Sequence, residues 1–121
     1  MERDWDLIRE ILIRLEEKSD VKGGLQLKDW PEGIRPKVSY HVELMIDGGL
    51  VEGFVSKTLD LGPDDFAIFR LTWNGHDFLN SIKNNTVWEK VKKVLVSKGI
   101  SATIEIAKAI ASKIILNEFQ L

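Results

Sequence analysis

His41, His76 and the adjoining Asp77 are the side chains of this chain best suited to hold a metal or move a proton near neutral pH, where imidazole titrates. A metal-dependent hydrolytic site on that set needs a further aspartate downstream as a ligand, and no aspartate follows Asp77. At helical spacing His41 lies at the edge of an apolar stripe, so a satisfied, partly buried histidine accounts for it. His76 falls on the first turn of its helix, where local packing accounts for it. Asp64-Asp65 sits in a turn sequence, and an exposed turn lacks the burial a catalytic carboxylate dyad requires. There is no cysteine, hence no thiol nucleophile, no disulfide and no thiolate zinc site. Gly23-Gly24 and Gly48-Gly49 lack the lysine spacing of a phosphate-binding loop. No enzymatic activity, metal or cofactor is expected.

Binding chemistry is better supplied. In the segment RPKVSYHVELMIDGG, a turn of 100° per residue puts Val38, Val42 and Met45 on one face, with His41 and Ile46 at its edges. Ser39, Tyr40, Glu43 and Asp47 then form the opposite face. A helix of this shape can read a DNA groove: Lys37, Ser39, Tyr40 and Glu43 would approach base edges, and Glu43 would accept from a cytosine amine. Arg35, Lys57 and a lysine face made of Lys83, Lys90, Lys92, Lys93 and Lys98 would hold phosphates.

Charge argues against that use. Glu43 and Asp47 are negative, and the face offers no arginine or lysine for the bidentate guanine contact worth ~1–3 kcal/mol of discrimination. Asp60, Asp64 and Asp65 surround the next loop, with only Lys57 near them. Solvated positions are the plain alternative for Arg35, Lys37 and the lysine face. The acidic face with Tyr40 equally suits a protein partner. Trp5, Trp30, Trp73 and Trp88 are not interleaved with basic residues as a stacking platform requires, so core or cap packing is expected of them.

These residues need elements to hold them. DWDLIREILIRLEEK repeats Trp5, Ile8, Leu12 and Leu15 at helical spacing, with Leu7 and Ile11 widening the stripe and Asp4 as N-cap. The helix should stop before Ser19-Asp20, with a break at Gly23-Gly24. Leu25 and Leu27 alternate with polar neighbours and read as a short strand. Pro36 opens the next helix, which ends at Gly48-Gly49 in a left-handed cap. LVEGFVSK and DFAIFRLT read as an antiparallel hairpin turned at Gly62-Pro63. Thr72 caps a helix from Trp73 to about Lys83 with Phe78, Leu79 and Ile82 inward. Thr86 to Glu89 fits a capping box opening a helix with Val87, Trp88, Val91, Val94 and Leu95 inward, ending at Gly99. A last helix, from about Ala102 to Phe119, is apolar over much of its surface through Ile104, Ala107, Ile110, Ala111, Ile114 and Ile115.

With 121 residues, 44% of them hydrophobic and 30% charged, the chain has the makings of one globular domain. Its charged start is no secretory signal and no apolar run approaches the ~20 residues that span a bilayer, so a soluble, cytoplasmic protein without membrane contact is expected. The net charge of −2 is uneven: residues 1–82 hold 10 Lys and Arg against 16 Asp and Glu, whereas residues 83–121 hold 7 Lys against 3 Glu. Any attraction to DNA must therefore be local to a face.

SYHVELMIDGGLVE, from Ser39 to Glu52, resembles the S-x-H-L-x-x-L-x-x-A-G-L-V pattern of bacterial winged-helix repressors. LTWNGHDFL, from Leu71 to Leu79, resembles the L-T-x-x-G-x-x-x-L start of the helix after their wing. The whole chain is similar to a domain-of-unknown-function family of short bacterial and phage proteins. That resemblance rests on Arg3-Asp4-Trp5-Asp6-Leu7-Ile8-Arg9, Ser39-Tyr40-His41 through Gly49-Leu50-Val51-Glu52-Gly53, the LTWNGHDFL stretch and Thr86-Val87-Trp88. It implies an α+β, mainly α fold: a winged helix (three-helix core with a β-hairpin wing) over 1–83. A two-helix extension over 84–121 would pack on it in a single compact domain. DWPEGIRP holds at most one turn, so the usual second helix of a helix-turn-helix is abbreviated. By analogy with this fold, regulation through double-stranded DNA is the expected function, and an adaptor binding another protein is the alternative. The apolar last helix either lies in a groove of its own domain or meets the same helix of another copy in a homodimer.

Overall fold

Asp4 accepts a hydrogen bond from the Leu7 amide (3.1 Å) and so caps α1, Trp5–Glu17, whose stripe of Leu7, Ile8, Ile11, Leu12 and Leu15 is buried. The computed structural model describes residues 2–18, 24–57, 59–99 and 103–119, the side chains of 118 and 119 excepted. The expected breaks at Ser19-Asp20 and Gly23, and Ala102 at the start of the last helix, lie outside the described residues. The chain divides into two compact units, residues 1–76 and 77–121.

In the first unit, strand β1 covers only Leu25–Gln26. Leu27, expected in that strand, instead opens a 3₁₀ turn, Leu27–Asp29. The Asp29 carboxylate accepts from the Gln26 amide at 2.7 Å and bends the chain off the sheet. A second 3₁₀ turn, Glu32–Ile34, leads into α2, Arg35–Asp47. Val38, Val42 and Met45 are buried as their spacing requires, and Gly49 (φ 74°) provides the left-handed turn after α2.

Strands β2, Val51–Ser56, and β3, Asp65–Leu71, pair antiparallel, with Val51 opposite Leu71 and Ser56 opposite Asp65. A bulge falls between Glu52 and Gly53. The sheet order β1-β3-β2 places β3 in the centre. Helices α1 and α2 both lie against β3, burying Phe66, Ile68 and Leu71. Trp30 is buried beside Phe66 (ring centroids 5.8 Å apart), with the Arg14 guanidinium over its ring.

Helix α3, Trp73–Ile82, starts where Thr72 expects it to, with the Thr72 hydroxyl accepting from the Gly75 amide at 3.0 Å. The Thr72 amide donates to Leu50 O at 3.0 Å, so the first turn of α3 presses on the end of α2. A Cβ at Gly75 would overlap Leu50 O.

In the second unit Phe78, Leu79 and Ile82 of α3 are buried. Helix α4, Asn85–Lys98, corrects the expected cap: Asn84 accepts from the Val87 amide (3.0 Å), which leaves Thr86 inside the first turn. Glu89 pairs with Lys92 (3.1 Å) instead of reaching back to a cap. Val87, Trp88, Val91 and Leu95 are buried and Val94 half-buried. Helix α5, Ile104–Phe119, packs on α4, burying Ala107 and Ala111 while Ile104, Ile110, Ile114 and Ile115 stay half-buried. The result is an α+β chain, mostly helical, with one three-stranded antiparallel sheet. Among the described residues no helix is long and apolar enough to cross a membrane.

Candidate functional site

The basic residues at the start of α2 are held by their own surroundings. Arg35 Nε donates to Trp30 O (2.9 Å), and its guanidinium lies 3.8 Å from Glu32. Lys37 donates to the Asp4 carboxylate that caps α1. Halfway along the helix, the residues that flank the β2–β3 loop fold onto it. Ser39, expected on the exposed face, is buried, and its hydroxyl donates to Asp64 O at 2.6 Å. Helical periodicity alone cannot register a loop that returns from 25 residues away. Lys57 bridges both Glu43 oxygens (2.7 Å each) and Asp64 (3.4 Å). The Glu43 hydrogen bond chiefly raises the Lys57 pKa against desolvation, with Asp64 adding to it.

His41, expected to be partly buried at the edge of the stripe, is fully buried. Its Nδ1 lies 2.8 Å from Lys37 O, and its Nε2 accepts the Asp4 amide at 2.7 Å. A carbonyl on one side and an N–H on the other require the neutral ring with its proton on Nδ1. Burial pushes its pKa down, against the Lys37 carbonyl and the Asp4 charge, which raise it. The Asp4 carboxyl is lowered despite desolvation, chiefly by its hydrogen bond to Lys37. Among the described residues no cluster of three or more His, Asp or Glu could hold a metal ion.

Several apolar and acidic side chains of this unit stand open to solvent. Tyr40 and Asp47 of α2 are exposed. At the hairpin tip Leu59 and Leu61 stand fully in solvent (107% and 106% of reference exposure), around Asp60, whose carboxylate accepts from the Gly62 amide. On the sheet's outer face Phe54 and Phe69 are exposed with ring centroids 5.9 Å apart. The Arg70 guanidinium there donates to both Glu52 oxygens at 2.7 and 2.8 Å. Trp73 is 82% exposed, which corrects the expectation of core or cap packing for it. The first position of a helix points its side chain away from the turn that Thr72 closes.

The structure thus gathers Ser39, Tyr40, Glu43 and Lys57 around one flank of α2. Lys90 and Lys93 are exposed on α4, in the other unit. The exposed apolar set was missed at the sequence level, although a signal existed. Phe54 shares the polar register of Glu52 and Ser56, and Leu59 and Leu61 stand in a turn where no core position is available.

The pattern of a family described as hypothetical protein (DUF2513) matches residues 2–101. An uncharacterized protein of Haemophilus influenzae (strain Rd) is 39% identical over 117 residues, which cover 95% of this chain and 96% of that protein. No solved structure matches the chain. On the family match and the relative together, the chain belongs to the DUF2513 family.

Proposed function

We propose that the protein is a non-enzymatic interaction module on an abbreviated winged helix, docking a basic, apolar protein surface through the tip of its β2–β3 hairpin. The observation that carries this reading is the full exposure of Leu59 and Leu61 within an acidic rim of Asp60, Asp64 and Asp65. Burying a leucine is worth ~1.5–3 kcal/mol, so two of them side by side form an anchor, and the carboxylates select positive partners. The order helix, strand, helix, hairpin, helix supports a winged helix whose second helix has shrunk to two 3₁₀ turns. A photo-crosslinking residue placed at Leu61 in cells is expected to trap a discrete protein, and Asp60→Lys with Asp64→Lys to abolish the adduct. An unmodified chain at Leu61, with efficient adducts from a control position at Glu10, would remove the reading.

A second reading, regulation through double-stranded DNA, draws on the same fold analogy and on the exposed Lys90 and Lys93 of α4. In it Arg35, Lys37, Lys57, Lys90 and Lys93 hold phosphates while Ser39, Tyr40 and Glu43 approach bases. The burial of Ser39 and the engagement of Lys37, Glu43 and Lys57 by neighbouring groups weigh against it. Fluorescence anisotropy with random duplex DNA at low salt discriminates: binding tighter than ~10⁻⁴ M, lost with Lys90→Glu and Lys93→Glu, restores the DNA reading.

A further inference from the structure

We propose that His41 is an acid-released latch that holds the start of α1 against α2. Four bonds converge there from two elements. The Asp4 amide donates to His41 Nε2, one Asp4 oxygen caps the Leu7 amide, and the other pairs with Lys37, whose carbonyl takes the His41 Nδ1 proton. A protonated imidazole has two donors and no acceptor, so the Asp4 amide would face an N–H across a 2.7 Å gap from a fully buried ring. The charged ring must therefore leave, and with it the anchor of the α1 cap.

The groups around the ring set the direction of the response. Asp4, from the α1 cap, is the carboxylate that favours the cation. Lys37, from α2, and the amino-terminal charge oppose it, and the Tyr40 ring meets the imidazole edge-on at 5.7 Å. Burial outweighs Asp4, and the folded pKa lies below the ordinary 6.5. The open form therefore binds the proton more readily than the closed one. The latch is fully closed above that ordinary value and weakens as the pH falls beneath it, down to the folded pKa.

Nuclear magnetic resonance on the full nitrogen-15-labelled chain tests this without any substitution. At about pH 7.5, His41 is expected as the neutral Nδ1–H tautomer with a protected Asp4 amide. Below the ordinary imidazole value, opening at Asp4 and Leu7 should rise about tenfold per pH unit, after correction for intrinsic exchange. The Val42 amide should lag behind. An Nε2–H tautomer overturns the latch. So does protonation of His41 with the Asp4 amide still protected, or opening of Asp4 only together with Val42.

Discussion

Asn84, two residues ahead of the threonine that the sequence pattern favours, receives the Val87 amide and sets where α4 begins. Asn84→Ala should lower stability by ~1 kcal/mol, whereas Thr86→Ala, exposed within the first turn, should stay within about 0.5 kcal/mol. Urea unfolding of the two variants side by side checks the assignment. Gly75 gives a second residue-scale test, because a Cβ there would overlap the backbone of Leu50. Gly75→Ala must push α3 off that turn, at ~1–3 kcal/mol by the usual cost of overpacking. A denaturation midpoint equal to wild type would show that the close approach is not needed. The same contact gives a physical reason for glycine in the LTWNGHDFL stretch, where no larger residue fits.

At the scale of elements, α2 and the hairpin were legible in advance. Val38, Val42 and Met45 declare the buried face by their spacing, and Gly48-Gly49 declare the end. The capping asparagine was missed because Thr86 and Glu89 imitate a capping box in sequence. Burial of Ser39 was out of reach for a different reason. It depends on the loop after β2 folding back so that Asp64 O meets the hydroxyl, a tertiary event that leaves no periodic trace in α2. The leucines at the tip make a prediction that separates binding from folding. Leu59→Ser with Leu61→Ser should change stability by no more than about 0.5 kcal/mol, since both are already in water, and Leu59→Ser alone should remove the adduct formed by the crosslinker at position 61. A large drop in the urea midpoint would instead make them structural.

Across the whole molecule, the two units carry opposite charge. Residues 1–76 hold 10 Lys and Arg against 15 Asp and Glu, and residues 77–121 hold 7 Lys against 4 Asp and Glu. A partner that meets both signs would bind with a weaker salt dependence than one that meets phosphates alone. The homodimer proposed through α5 belongs at this scale, because Ile110 and Ile114 remain half-buried and Leu116 is 67% exposed. Sedimentation should then report twice the chain mass, and Ile110→Asp should halve it. A single-chain mass for the unmodified protein at high concentration would remove the dimer. Fold class and apolar stripes could be read from the sequence because periodicity is local. The exposed surface could not, since it is whatever the packing leaves over.

Trp73 turns that leftover surface into an optical signal. Trp30 and Trp88 are sealed in the interior, whereas the Trp73 indole stands in water at the head of α3. Iodide should therefore quench a red-edge component of the emission selectively, and Trp73→Phe should erase it. Anything that settles over this end of the first unit would shield that component, whereas a partner held at the hairpin tip, at the far end of β3, would leave it unchanged, so light alone tells the two docking ends apart.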